Sequence, residues 1–300
     1  MGKISAVINT RNAEKILPRA ISSVKDFADE IVVVDAKSED ATQEVANRLG
    51  AKVYEYEKPI TYVEPARNFA ISKAKNEWVL LLDADEEIPE SLARKLQKIA
   101  QKPQADYFRL PRKNIIFGKW IKHSRWWPDY NIRFFRKGTV VWSEIIHSVP
   151  ETNGKGLDLP PRVAYALVHH NYQSIEQYID RINNFTTEHA KLLAKEGYQF
   201  RWQDLVKKPA AEFLSRYYQG EGYKDGIHGL ALAGLQAFSE LTLYLKVWQQ
   251  DKLGEKNLDV ADIINSIKEA ESELHYWQAD ARVKKDGGLV TRIKRKFKLP

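Results

Sequence analysis

The chain of 300 residues contains no cysteine. Disulfides, thiolate zinc sites and a cysteine nucleophile are thereby excluded, and a cytoplasmic protein is the expected kind. No run of about 18 apolar residues occurs, so no membrane-spanning helix is expected. No signal peptide is expected either, because Lys3-Ile-Ser-Ala-Val-Ile8 reads directly as a strand, without an n-region, h-region and cleavage site. Glycine-rich phosphate loops of the GxGxxG or GxxxxGKS/T type are missing, which argues against a dinucleotide enzyme or a P-loop NTPase. Internal repeats and low-complexity segments are absent as well.

Excess charge is scarce outside one segment. Lys and Arg number 47 against 40 Asp and Glu, a net +7. Between Arg282 and Lys298 stand eight basic residues and the single Asp286, so the rest of the chain balances at 39 against 39. The basic excess belongs to the tail, and no nucleic-acid partner is expected. A hydrophobic fraction of 43% beside 29% charged residues is that of a globular protein with ample length for a core.

What is present begins with alternation. Strand patterns at Ile4–Asn9, Glu30–Asp35, Ala51–Glu55 and Glu77–Leu82 are separated by helical patterns near Leu17–Val24, Ala41–Leu49 and Glu64–Ala74. Pro18 and Pro65 sit near helix starts, where proline is tolerated. Such spacing predicts βαβ units and a parallel sheet, and Ile31-Val-Val-Val34 and Val79-Leu-Leu-Leu82 suit strands covered on both faces. A helix over Pro89–Ala100 follows, then short aromatic and basic strands and loops over 105–170, then helices near 175–195, 209–219, 228–249 and 258–280.

The strand ends carry Asn9-Thr10-Arg11-Asn12, Asp35-Ala36-Lys37-Ser38, Glu55 and Asp83-Ala84-Asp85. Ligands of an open parallel sheet bind beyond the carboxyl ends of its strands, so Thr10, Asp35 and Asp83 are expected on one rim. Asp83 and Asp85, one residue apart, offer hard oxygen ligands suited to Mg²⁺ or Mn²⁺ held against a diphosphate. Asp35 is placed to accept hydrogen bonds from a ribose or a base N–H, and Arg11 and Arg67 to offset phosphate charge. Solvated loops account equally well for any one of these residues, but poorly for three strand ends together.

Val7-Ile-Asn-Thr-Arg-Asn12, Ile31-Val-Val-Val-Asp35 with Ser38-Glu-Asp-Ala-Thr42, Ala66-Arg67-Asn68-Phe-Ala70 and Leu81-Leu-Asp-Ala-Asp-Glu86 together resemble the nucleotide-binding half of family 2 glycosyltransferases. The likeness is nearest to the branch of lipopolysaccharide-core sugar transferases. Pro128-Asp-Tyr-Asn-Ile-Arg-Phe-Phe-Arg136 resembles that family's arginine-bearing strand, Ile146-His147 its Val-His-Glu element, and Val168-His169 with Tyr172 a later His-x-x-Tyr stretch. The helical segment from Phe213 to Trp248 is similar to the same branch.

The resemblance implies an α/β fold of the GT-A nucleotide-diphospho-sugar transferase type, with a Rossmann-like, mostly parallel sheet and a helical C-terminal extension. It implies an inverting, metal-dependent transfer from a nucleotide-diphosphate sugar, foremost a UDP-sugar, to a saccharide or lipid-linked acceptor in cell-envelope glycan synthesis. Thr10, Arg11, Asn12, Asp35, Arg67, Asp83, Ala84 and Asp85 would then line the donor site, with Asp35 on the nucleoside. Asp83 and Asp85 would serve the metal, and His147 is a further candidate ligand through a neutral imidazole nitrogen. In-line attack needs a carboxylate base opposite the leaving group, for which Glu144 and then Asp129 are the candidates. Here the chain departs from the family, since His147 is followed by Ser148 instead of glutamate. His169-His170 has no ligand-spaced partner nearby in sequence, and packing is the expected role. Trp126-Trp127, in a proline-containing loop, are expected to contact the acceptor.

Ala231, Leu235, Phe238, Leu241, Leu245 and Trp248 form an apolar stripe expected to pack on the first domain. In the tail, Leu289, Ile293 and Phe297 recur every four residues among Arg292, Lys294, Arg295, Lys296 and Lys298, a pattern fitting an anionic membrane surface. A disordered solubilising tail explains the same composition. The expected organisation is therefore a catalytic domain over 1–172, divided at 100 into donor and acceptor halves. A helical extension over 173–281 and a basic amphipathic tail over 282–300 complete it, at the inner face of the cell membrane. Two rivals stay open: a sugar nucleotidyltransferase, which normally carries a glycine-rich basic loop after its first strand, and a non-catalytic, membrane-attached pseudo-transferase scaffold.

Overall fold

Strand β1 (Ile4–Thr10) is buried along all seven residues, as a central parallel strand covered on both faces must be. Its neighbours are β2 (Glu30–Asp35), which carries β3 (Lys52–Glu55) on its far side, and β4 (Trp78–Asp83), all parallel. The computed structural model describes residues 2–58, 64–143, 149–255 and 257–300. They form two units, Met1–Ile115 with Trp127–Asn171, and Ile116–Trp126 with Tyr172–Pro300.

In the first unit, α1 (Leu17–Val24), α2 (Thr42–Arg48), α3 (Glu64–Lys73) and α4 (Glu90–Gln101) cover the sheet. Leu17, Ala20, Ile21 and Val24 bury one stripe of α1 against alternate sheet residues such as Ile8, Val33 and Leu80. The other face packs Val7, Val32 and Leu81 on Ala66, Ala70 and Ile71 of α3. Each fully buried Leu, Ile or Val contributes about 1.5–3 kcal/mol, so the two faces together anchor the strand ends rigidly.

The sheet then turns mixed. A short β5 (Glu86–Glu87) follows the carboxylate pair, and β6 (Tyr107–Ile116) runs antiparallel to β8 (Asp129–Arg136), which itself lies antiparallel to β4. The short β7 (Lys119–Trp120) belongs to the second unit. A separate ribbon is made by β9 (Val140–Val141) and β10 (Glu151–Thr152), while β11 (Gly156–Asp158) pairs with β6 and β12 (Leu167–Tyr172) with β5. Strand order is β3-β2-β1-β4-β8-β6-β12-β5. The predicted early strands stand within a residue of the observed ones. Over 105–170 the strands are longer than predicted, because Phe108 and Phe134 from β6 and β8 join Trp78 in one aromatic group, with Trp78 and Phe134 stacked at 4.8 Å.

The second unit is built on α5 (Ile175–Lys195), α6 (Asp204–Leu214), α7 (Ile227–Gln250), α8 (Val260–Asp286) and α9 (Leu289–Phe297). Ser174 caps α5 by accepting from the Gln177 N–H, and Asp259 caps α8 by accepting from the Ala261 N–H. Helix α6 starts five residues before the predicted 209 and runs through Pro209, which sits beyond its first turn. The buried face of α7 also differs from the predicted stripe. Leu232, Ala233, Leu243, Tyr244 and Val247 are buried, whereas Phe238 and Leu245 are exposed. Helix α7 is apolar nearly all round, so periodicity alone could not choose its face; the close approach of Gly229 to the Gly222 carbonyl does. Asp225 is buried and accepts from the Lys122 and His123 N–H groups, tying the 116–126 segment to this unit. Among the described residues no helix is long and apolar enough to cross a membrane.

Candidate active site

The carboxyl ends of β1, β2 and β4 lie side by side, with Thr10 opposite Asp35 and Asn9 opposite Asp83 in register. Paired residues of parallel strands project to the same face, so the rim has two faces: Thr10 and Asp35 share one, Asn9 and Asp83 the other. Asp35 is fully buried. It accepts from the Ser38 N–H at 3.0 Å, the Ser38 hydroxyl at 2.5 Å and the Gln43 amide at 2.8 Å. The loops after β1 and β2 are laced together, because the Asn12 N–H donates to Ser38 Oγ and the Glu39 N–H to Asn12 Oδ1. Asn12 and Lys37 take left-handed backbone at φ 49° and 56° to allow this. Arg11 is exposed on the same loop, and Ala84 packs partly against the core. The Asn9 amide and the Thr10 hydroxyl are buried without a hydrogen-bond partner among the described residues. Buried polar groups are nearly always satisfied, so this rim is shaped for a hydrogen-bonding occupant.

Asp83 enters a buried ionic cluster. Arg67 Nη2 reaches its Oδ1 at 3.1 Å and Arg133 Nη2 its Oδ2 at 2.5 Å. Arg133 also donates to Glu86 at 2.8 Å, Glu86 lies 3.3 Å from Arg112, and Arg112 donates to Asp129 at 2.6 Å. Three carboxylates thus balance three guanidinium groups. Burial pushes the Asp83 carboxyl up, but Arg133, Arg67 and Arg112 outweigh it and hold the group well below the usual carboxylate range. Asp129 is held low in the same way, burial being overcome by Arg112 and by a hydrogen bond from Asn114.

The cluster continues to the second carboxylate of the pair. Asn114 donates its Nδ2 to Asp129 at 3.0 Å, which turns its Oδ1 toward His169 Nδ1 at 2.7 Å. An amide oxygen only accepts, so His169 donates from Nδ1 and directs Nε2 at Asp85 Oδ2, 3.5 Å away. Antiparallel pairing of β5 with β12 sets His169 opposite Glu86 and lets the His170 N–H donate to the Asp85 carbonyl. His169, expected to have a packing role, is buried and also lies beside Asp85 of the carboxylate pair. Its His-x-x-Tyr likeness was the signal, but the 84-residue separation from Asp85 hid the partner. Asn114 and Arg112, in the middle of β6, carried no signal at all.

Asn68 of the Ala66-Arg67-Asn68 stretch exchanges two hydrogen bonds with the Trp142 backbone, and Arg67 lies over the Trp142 ring at 5.7 Å. Glu144 and His147, expected as base and metal ligand, lie outside the described residues. Trp126 is partly buried and packs beside Ile116, Ile121 and Tyr178 in the second unit.

The mixed sheet, whose parallel half ends in this polar rim, has the GT-A fold. Residues 5–153 match the glycosyl transferase family 2 model. An uncharacterized glycosyltransferase of Rickettsia typhi is 31% identical over 272 residues, covering 87% of this chain and 92% of the relative. One from Rickettsia bellii is 34% identical over 204 residues, 65% of this chain and 69% of the relative. The chain belongs to glycosyl transferase family 2 and is a glycosyltransferase. Among solved structures, S. aureus TarS 1-349 in complex with UDP-GlcNAc aligns with 15% identity and a TM-score of 0.47 over 86% of this chain and 94% of that one.

Proposed function

We propose that the rim binds a nucleotide-diphosphate sugar and that the enzyme transfers the sugar, with inversion, to a saccharide or lipid-linked acceptor of cell-envelope type. The observation that carries the donor half is the facing pair Asp85 Oδ2 and His169 Nε2 at 3.5 Å, with the His169 tautomer set by Asn114, Asp129 and Arg112. One carboxylate oxygen and one imidazole lone pair fit a shared Mg²⁺ or Mn²⁺. Among the described residues no group of three such side chains could hold a metal ion, which agrees with an ion completed by diphosphate oxygens and water. When bound, such a cation stabilises the charge that develops on the departing diphosphate.

The other roles follow from charge and position. Asp35, with Thr10 on its face of the rim, takes the nucleoside. Asp83 is engaged by Arg67 and Arg133, so we assign it to orienting those cations toward the phosphates, and direct ligation to Asp85 with His169. The acceptor oxygen attacks the anomeric carbon as the glycosyl–phosphate bond breaks, and the acceptor proton passes to a carboxylate. Asp129 is committed to Arg112 and Asn114 and held ionised. We therefore assign it to alignment of His169 and leave the base role to Glu144. The lipopolysaccharide-core character of the acceptor rests on the motif resemblance alone.

A thermal-shift panel of nucleoside diphosphates with Mn²⁺ and with chelator tests the reading. A ligand at 100 times its Kd stabilises by about 2.7 kcal/mol, and the shift is expected only with metal. Asp85→Ala and His169→Ala are each expected to lose both the metal-dependent shift and sugar transfer. Wild-type transfer by Asp85→Ala, with unchanged metal dependence, would sink the assignment.

A further inference from the structure

Helix α9 is docked the wrong way round for a helix of a water-soluble surface. None of its residues is buried. Ion pairs tie it to α8: Arg295 Nη1 lies 3.0 Å from Asp280 Oδ1, and Lys298, just after the helix, pairs with Glu273. Asp280 is itself buried and also bound by Lys284 at 3.1 Å. The cationic side of the helix thus faces its own unit. The opposite side exposes Leu289, Val290, Ile293 and Phe297 at 74%, 67%, 46% and 61%, and Leu299 follows at 47%. Leu289 and Val290 stand four and three residues before Ile293, and Phe297 four after it, so these four form one stripe. Arg292 and Lys296 are exposed on its flanks.

An amphipathic helix normally turns its apolar stripe inward, because burial of that stripe is its main source of stability. Here ion pairs with Asp280 and Glu273 hold the reverse orientation. A contiguous exposed apolar stripe marks an interaction surface. The charge around it selects the partner. Arg292 and Lys296, both exposed, border the stripe. An apolar ridge edged by cations matches the boundary of an anionic bilayer, with side chains among the acyl ends and cations among the headgroups.

We propose that α9 is an interfacial anchor that inserts Leu289, Val290, Ile293 and Phe297 into an anionic lipid surface, with Arg292 and Lys296 at headgroup level. The inference does not depend on the glycosyl-transfer reading, and its test uses no sugar. It differs from adsorption of a charged tail, which needs no fixed apolar face.

The experiment is co-sedimentation of the full chain with phosphatidylcholine vesicles, with and without about 30% phosphatidylglycerol, whose surface charge attracts nearby cations. Binding is expected only with the anionic lipid and is expected to fall steeply at about 1 M salt, where the Debye length shrinks to about 3 Å. Ile293→Ser with Phe297→Ser keeps the charge and is expected to weaken binding about tenfold or more, since it removes the inserted side chains. Arg292→Gln with Lys296→Gln keeps the stripe and removes two cations, each changing partition about fivefold, for about 25-fold together. Because no α9 side chain is buried, both variants should melt like the parent, which controls for folding. Equal binding to neutral vesicles, no binding by the parent, or full binding by the serine variant overturns the proposal. So does a parent dimer in sedimentation equilibrium that the serine variant abolishes, which would give the stripe to a second copy of the chain.

Discussion

Arg133→Met removes one of three guanidinium groups from the buried cluster beneath the rim. Arg133 is 2% exposed and Glu86 1% exposed, so the Glu86 charge left behind cannot turn to water. Before the change, Asp83, Glu86 and Asp129 balance Arg67, Arg112 and Arg133. Afterwards Asp83 keeps Arg67 at 3.1 Å, Glu86 keeps the Asp83 N–H and, of the guanidinium groups, Arg112 at 3.3 Å, and one negative charge is uncompensated. Removing one partner of a buried pair costs about 3–5 kcal/mol. At about 2–4 °C per kcal/mol for a unit of this size, the first unit is expected to melt about 6–20 °C lower. Trp78 stacks on Phe134, the next residue along β8, which makes Trp78 a fluorescent probe within this unit. Glu86→Gln with Arg133→Met removes the orphaned charge along with its partner. Its loss is expected to fall short of the summed single losses by about 0.5–3 kcal/mol, as for residues in one network. An Arg133→Met transition within about 1 °C of the parent, or strict additivity in the double variant, refutes the account of the cluster as a coupled buried network.

Two further outcomes follow from other parts of the chain. Glu30 accepts from the Ser5 hydroxyl, the Lys75 N–H and Lys52. Burial raises its pKa, but these partners lower it further, for a net depression. A depressed folded pKa gives stability that is present above the unfolded value and is lost as pH falls through the folded one. Glu30→Gln is therefore expected to be less stable at neutral pH and to show a shallower acid loss in urea melts. A parent and variant with parallel pH profiles would contradict this. In α7, a Cβ on Gly229 would meet the Gly222 carbonyl oxygen at 1.8 Å, whereas one on Gly234 meets nothing within 4 Å. Gly229→Ala is expected to cost about 3 kcal/mol or more, and Gly234→Ala to stabilise by about 0.5–1 kcal/mol through helix propensity. Denaturant melts that reverse this order would refute the packing.

By itself the sequence determined the alternating strands and helices of the first hundred residues, the rim of Thr10, Asp35 and Asp83, and the family. The first two are local, since apolar runs and residues at strand ends follow from spacing, and the family was carried by the resemblance of its motifs. The concentration of positive charge in the tail was equally plain. Only the tertiary structure decided which partners the acidic pair meets. Asp83 finds Arg67 on a helix and Arg133 on an antiparallel strand, and Asp85 finds His169 because β5 pairs with β12 across the width of the chain. Such pairings are set by strand register between distant segments, which no local period encodes. The same holds for α7, whose all-round apolar surface left its buried face to packing. It holds for α9 as well, whose apolar stripe was legible but whose outward turn depends on Asp280 and Glu273 of the preceding helix.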